Sequence, residues 1–208
     1  MTDWFAGAVA EHYDENTAVM PIEPVVEFLA PLGDGGALEL AIGTGRIALP
    51  LAARGVRVAG IDLSPDMVAQ LRRKSAAIPV EIGDMATTHV GGTFSLVYLV
   101  FNSINNLTTQ DAQVACFENA ARHLVPGGCF VVEVGIPNTR RLEVFDLSGA
   151  HVGVDEYDAD TQRLVSHHFS LRDGHWTRAS VPFRAVSPAE LDLMARLAGL
   201  RLRERWSD

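Results

Sequence analysis

The chain has 208 residues, 48% of them hydrophobic, and a formal net charge of −9: it can bury an ordinary single-domain core, and it lacks the excess basic charge of an unaided nucleic-acid backbone binder. No apolar run approaches the roughly 20 residues of a membrane helix, and the opening Met-Thr-Asp-Trp-Phe lacks the basic head and apolar stretch of a signal peptide. Cys116 and Cys129 form no CxxC pair, so a reduced, cytoplasmic setting is expected.

Residues 1–33 read as a helical arm. From 37 to 135, apolar strand-like runs alternate with helix-like stretches. The expected elements are strand 37–42, helix 46–54, strand 56–61, helix 65–76, strands 78–82 and 94–100, helix 109–124 and strand 129–134. Continuous apolar strands alternating with helices imply a parallel sheet covered on both faces. Ser64-Pro65 is an N-cap with a first-turn proline. Thr108 with Asp111 resembles a capping box, and Pro126-Gly127-Gly128 reads as a turn launching a strand.

The pattern changes after 135. Within a predicted β insertion at 137–187, the runs 151–157, 164–171 and 176–183 read as an antiparallel meander with turns at 158–162 and 172–174. Ser187-Pro188-Ala189-Glu190 is a capping box that starts a helix. Gly199 ends it, and 200–206 alternates like a last strand. The expected fold is α/β: a doubly wound, mostly parallel Rossmann-like sheet with helices on both faces and an inserted antiparallel β meander.

The segment from Leu38 to Arg46 follows a strand and opens a helix. Gly43 and Gly45 let backbone approach a ligand closely at a helix N-terminus. Arg46 falls in the first predicted helical turn, where a cation opposes the helix dipole; an anion at the turn would explain it. Asp62 ends the second predicted strand, 17 residues after Gly45, where a carboxylate can take both ribose hydroxyls. Asp84 offers a second acidic group after the third strand. Gly43–Ala48 also fits G-x-G-x-x-A, so a nicotinamide-dependent oxidoreductase is an alternative. Glu39 inside the first strand, Asp84 and the Pro-Gly-Gly turn separate the two readings.

On these residues the chain resembles the class I S-adenosylmethionine-dependent methyltransferases. Residues 38–46 are similar to their first motif, 58–62 to their second-strand acidic motif, 83–85 to their adenine motif and 124–132 to their Pro-Gly-Gly motif. His12-Tyr13-Asp14 resembles the arm that closes over the cofactor, and Phe101-Asn102 falls where the fourth strand meets the active site. The family's first glycine is Ala41 here. The resemblance implies S-adenosylmethionine as cofactor. It implies that Glu39, Ala41, Gly43 and Gly45 line the methionine moiety, and that Arg46 and Tyr13 reach its carboxylate. Asp62 takes the ribose, Leu63 and Met67 pack near the adenine, and Asp84 and Met85 contact its edge. Phe101 and Asn102 sit near the reacting sulfonium.

Residues 150–206 resemble a subgroup with an antiparallel cap that acts on small metabolites, amino sugars included. A small-molecule methyl acceptor is therefore expected between the carboxyl ends of strands one and four and the inner face of the meander. Asn102, Asn138 and His167 are the candidates on that side. The family's sheet ends in a further strand pair; the sequence stops at Asp208 before it, which reads as a missing tail. A cofactor-binding module without turnover is the other alternative. His167 and His168 are consecutive on a predicted strand and point to opposite faces, so no metal site is expected. His167 shares the expected buried face with Val165, Phe169 and Leu171.

Overall fold

Nine strands form two sheets in a computed structural model that describes residues 3–136, 141–172 and 174–207. The first sheet is parallel throughout, in the order β3-β2-β1-β4-β5. Its strands are β1 (Ala37–Leu40), β2 (Val58–Asp62), β3 (Val80–Ile82), β4 (Phe94–Leu99) and β5 (Leu124–Val132). Every residue of β1 and β2 is buried, as apolar runs require when helices cover both faces. Leu38, Leu40, Ile61, Leu96 and Leu99 are fully enclosed, with Leu29 of α2 (Glu23–Leu29), Leu51 of α3 (Ala48–Ala53) and Leu71 of α4 (Pro65–Lys74). The doubly wound expectation holds.

The chain divides into two compact units, Met1–Phe101 with Ala115–Glu133, and Asn102–Val114 with Val134–Asp208. The helix α5 (Gln110–His123) contributes to both. The second unit holds an antiparallel sheet in the order β6-β7-β8-β9: Leu142–Leu147, His151–Asp158, Arg163–Arg172 and His175–Arg184. The helix α6 (Pro188–Leu197) follows.

The structure corrects several expected boundaries. The helix expected from 46 starts at Ala48, because Ala41, Gly43 and Gly45 all have positive φ (61°, 56° and 81°) and the turn uses two more residues. Arg46 therefore precedes the helix instead of lying in its first turn. β3 begins at Val80, since Pro79 has no N–H for the ladder, though its carbonyl still accepts from Gly60. Thr109, not Thr108, caps α5: its hydroxyl accepts the Ala112 N–H at 3.2 Å. Pro126-Gly127-Gly128 lies inside the span of β5 as an excursion, where the pairing jumps from Phe94↔Leu124 to Leu96↔Cys129.

The meander has four strands, not three. β6 hides from the periodicity because its register shifts between Val144 and Asp146, so its apolar residues do not alternate cleanly. The bulged Phe145 ring lies over Gly153, where a Cβ would come within 2.3 Å of it. The last predicted strand is absent: residues 200–207 form no strand. Leu202 and Trp206 are exposed, and Arg205 reaches back to Asp192 of α6. An alternating pattern becomes a strand only where a sheet edge pairs it. Among the described residues no helix is long and apolar enough to cross a membrane.

Candidate functional site

In the first unit, the carboxyl ends of the parallel strands gather the residues singled out in the sequence. Asp62 at the end of β2 holds the glycine turn. Its Oδ2 accepts the Gly43 N–H at 2.6 Å and its Oδ1 accepts the Ser64 N–H at 2.8 Å. Burial raises its carboxyl against those two bonds. Ser64 in turn caps α4, its hydroxyl accepting from Met67. A Cβ at Gly43 would meet the Met67 terminal methyl at 3.2 Å, with no other described neighbour within 4 Å. The turn thus offers bare backbone to a ligand with Met67 beside it.

Glu39 is buried in the middle of β1. Tyr98, its register partner on β4, donates its hydroxyl to Glu39 Oε2 at 2.9 Å, and the Ala48 N–H gives a second bond. Burial nevertheless pushes the Glu39 carboxyl up to about 8. A buried carboxyl whose burial is offset only in part by its hydrogen bonds and the charge of Arg46 suits a ligand that brings an ammonium group. The guanidinium of Arg46 stacks over the Phe101 ring, 4.6 Å from its centroid. The Phe101 N–H donates to Glu133 at 3.0 Å.

The N-terminal arm is pinned to this turn. Asp14, on α1 (Ala8–Thr17), accepts from the Thr44 hydroxyl and from Lys74 at 2.5 Å each. Burial pushes the Asp14 carboxyl up, but those bonds outweigh it and hold it low. Gly7 donates to Asp66 at the start of α4 at 2.7 Å. Tyr13 rests edge-on to Phe5, and burial raises its phenol against the nearby charge of Arg46. Asp84 Oδ1 accepts the Ala86 N–H at 2.8 Å, and Met85 is buried. Asn119 of α5 donates to the carbonyls of Met85 and Thr88 at 2.8 and 2.9 Å and fixes that loop. Sequence reasoning passed over Asn119; it is one of three buried polar residues on α5, with Gln113 and His123, so polarity alone does not mark it.

In the second unit, a cavity of ≈ 290 Å³ has Asn102, Asn105, Glu143, Asp155, Tyr157 and Ser166 in its wall. Asn102 lies in this wall, its amide oxygen accepting the Gly135 N–H. His167 does not line the cavity. It projects from the other face of β8, with its ring 2.8 Å from Ser180 Oγ and 3.6 Å from Glu156. Asn138 lies outside the described residues. No group of three or more metal-ligating side chains occurs among the described residues.

The strand order, the glycine turn and the strand-end carboxylates define a Rossmann-like methyltransferase fold. The model of a family described as "Methyltransferase domain" matches residues 37–128. The chain is 34% identical to the CcbJ methyltransferase from Streptomyces caelestis, covering 94% of this chain and 86% of that one with a TM-score of 0.80. It is 32% identical to the dTDP-3-amino-3,4,6-trideoxy-alpha-D-glucopyranose N,N-dimethyltransferase of Streptomyces venezuelae, over 74% of this chain and 62% of the relative. It is 35% identical to the dTDP-3-amino-3,6-dideoxy-alpha-D-glucopyranose N,N-dimethyltransferase of Streptomyces fradiae, over 73% and 57%. The chain thus spans about three fifths of the length of these curated relatives. It belongs to the class I S-adenosylmethionine-dependent methyltransferases, which sets the nicotinamide-dependent alternative aside.

Proposed function

We propose that this chain transfers a methyl group from S-adenosylmethionine to an amine of a small molecule such as an amino sugar. The carrying observation is the 34% identity to a methyltransferase over 94% of the chain. Both curated relatives named above are N,N-dimethyltransferases of amino sugars, which supports an amine acceptor. When bound, the cofactor supplies a methyl group already activated by its sulfonium centre.

The protein's own residues then bind and align. Glu39 faces the amino group of the methionine moiety, and Gly43 and Gly45 let it approach the backbone. Arg46 and Tyr13 take its carboxylate. Asp62 takes the ribose hydroxyls; Leu63, Met67, Asp84 and Met85 frame the adenine. The arm anchored through Asp14 and Thr44 excludes water. Phe101 borders the reacting centre, and Asn102, the next residue, lines the cavity assigned to the acceptor. Both have positive φ (57° and 60°), a costly conformation for residues other than glycine. Alignment behind the methyl group and exclusion of water account for most of the acceleration such a reaction needs.

The test is calorimetric titration with S-adenosylhomocysteine, followed by turnover across a panel of amino sugars. Binding with N-methyl product on mass spectrometry is expected. Binding without turnover would make the chain a cofactor-binding module; no binding would overturn the reading.

A further inference from the structure

On one face of the antiparallel sheet, four side chains form a line from the cavity wall to the surface. Ser166 is in the wall and buried, its Oγ 3.3 Å from His168 Nε2. His168 Nδ1 is 3.2 Å from His151 Nε2, and His151 Nδ1 is 2.6 Å from Asp146 Oδ2. At the outer end the His151 and Asp146 side chains are 28% and 43% exposed. The local sequence makes room for the line. His168 faces Gly153, which has no side chain, and the bulged Phe145 ring packs edge-on against the imidazole at 5.5 Å.

The proton positions follow from the outer end. The Asp146 carboxylate only accepts, so His151 carries its proton on Nδ1 and leaves Nε2 free. His168 then donates from Nδ1 and accepts at Nε2. The Ser166 hydroxyl donates to His168, which leaves its oxygen lone pairs for a donor in the cavity. Burial, with His151 and His167 near, lowers His168 against the opposing pull of Asp155 and Asp146, so its acceptor nitrogen is kept free. On β9 its register partner is Ala179, flanked on the same face by Val181 and Thr177, none of them charged.

The rest of the wall also calls for a donor. Glu143 lies directly opposite Asp155, and Asp155 directly opposite Ser166. Like charges in register repel unless a cation answers them. Among the described residues, Asp155 Oδ1 has no hydrogen-bond partner, nor does Oδ1 of Asn105, a wall residue only 7% exposed.

We propose that the cavity takes a primary or secondary ammonium group, and that Ser166, His168, His151 and Asp146 conduct its proton to solvent. This rests on the amine reading above. An ammonium has no lone pair to attack with. Its N–H bond breaks, the electron pair stays on nitrogen, and the proton passes to Ser166 Oγ. The hydroxyl proton moves to His168 Nε2, the His168 Nδ1 proton to His151 Nε2, and the His151 Nδ1 proton to Asp146 and water. One proton leaves for each taken up. Rotation of the Ser166 hydroxyl and tautomer exchange at both imidazoles, His168 as well as the exposed His151, restore the starting polarity. Of these four, only Ser166 touches the acceptor; the histidines and Asp146 are positioning and relay residues.

Two measurements on the full chain test the proposal. Nitrogen-15 spectra of the histidine side chains at neutral pH should show His151 and His168 both protonated on Nδ1; His168 protonated on Nε2 would overturn the line's polarity. The pH profile of kcat with a 3-amino-3-deoxyhexose should then separate His168→Gln from the parent. About ten-fold or greater loss is expected below the acceptor's own pKa, shrinking toward parity above it. Asp146→Asn, at the exposed end where folding is not at risk, should give the same trend. Equal loss at every pH, or none, sinks the relay while leaving N-methylation standing. A parent that turns over no amine sinks the reading on which the relay rests.

Discussion

Tyr98 donates its hydroxyl to Glu39 from the directly adjacent strand, and both side chains lie in the buried middle of the parallel sheet. The bond offsets only part of the cost of burying a carboxylate, so Glu39 stays protonated to about pH 8. Its folded pKa is above the ordinary 4.5. Between those values the unfolded chain releases a proton that the folded chain keeps, so ligand-free stability falls as pH rises through the window. Glu39→Gln has no such proton. Urea unfolding at pH 5, 6.5 and 8 should show the variant gaining on the parent by a few kcal/mol in all, on the order of 1.4 kcal/mol for each pH step of one within that window. Parallel curves would show that Glu39 is ionised in the fold.

Asp62 holds two backbone N–H groups before any ligand arrives, which adds a structural duty to the ribose role read from the sequence. Asp62→Ala should weaken S-adenosylhomocysteine binding ten- to a hundred-fold, the loss of roughly 1.5–3 kcal/mol of charged hydrogen bonding. Asp62→Asn keeps one oxygen and should lose less. Unchanged affinity by calorimetry would remove Asp62 from the cofactor site.

The parallel sheet and its turn were legible because each device there is local: continuous apolar strands, glycines at a strand–helix turn, Ser64-Pro65 at a helix start. What the sequence hid depends on tertiary neighbours. β6 breaks its own alternation at the Phe145 bulge, whose purpose appears only when the ring is seen over Gly153. Residues 200–206 carry a strand's pattern without a partner edge. His167 and His168 were correctly set on opposite faces, but which face borders a cavity is a property of the packed sheet; Ser166, on the His168 side, lines it. Asn119 gave no periodic signal, because its partners are the carbonyls of a loop 31 and 34 residues away.

Ala41 stands at φ 61° where the resembling family carries glycine. A Cβ in the left-handed region costs roughly 1–2 kcal/mol. Replacing it with glycine returns that strain but loosens the unfolded chain by about 0.4–1 kcal/mol. Ala41→Gly should therefore stabilise the ligand-free protein by about 0.5–1 kcal/mol. Thermal unfolding should register a rise of a few degrees; a fall would mean that the turn depends on the Ala41 methyl group.

Glu190 was expected to close the capping box of the last helix, and half of that box forms: Ser187 Oγ accepts the Glu190 N–H at 3.2 Å. The carboxylate is drawn elsewhere. It accepts from Arg184 and Gln110 at 2.6 Å each and from Gln162 at 2.7 Å. Arg184, itself buried, also reaches the side-chain oxygens of Gln162 and Gln113. The cluster thus joins the start of α5, the β7–β8 turn, the end of β9 and the start of α6. Removing one partner strands the other charge. Glu190→Ala should cost about 3 kcal/mol or more by urea unfolding, while Glu190→Gln, which keeps an acceptor, should cost less. Burial pushes the Glu190 carboxyl up, but the bonds from Arg184, Gln162 and Gln110 win and hold it below the usual range. Its contribution is therefore present above the unfolded carboxyl's pKa and is lost as pH falls through the lowered folded value. Protection of the β9 amides, measured against their intrinsic exchange rates, should fall in acid for the parent, and already at neutral pH for Glu190→Ala. If β9 exchanges alike in both proteins at neutral pH, the cluster does not hold this unit together.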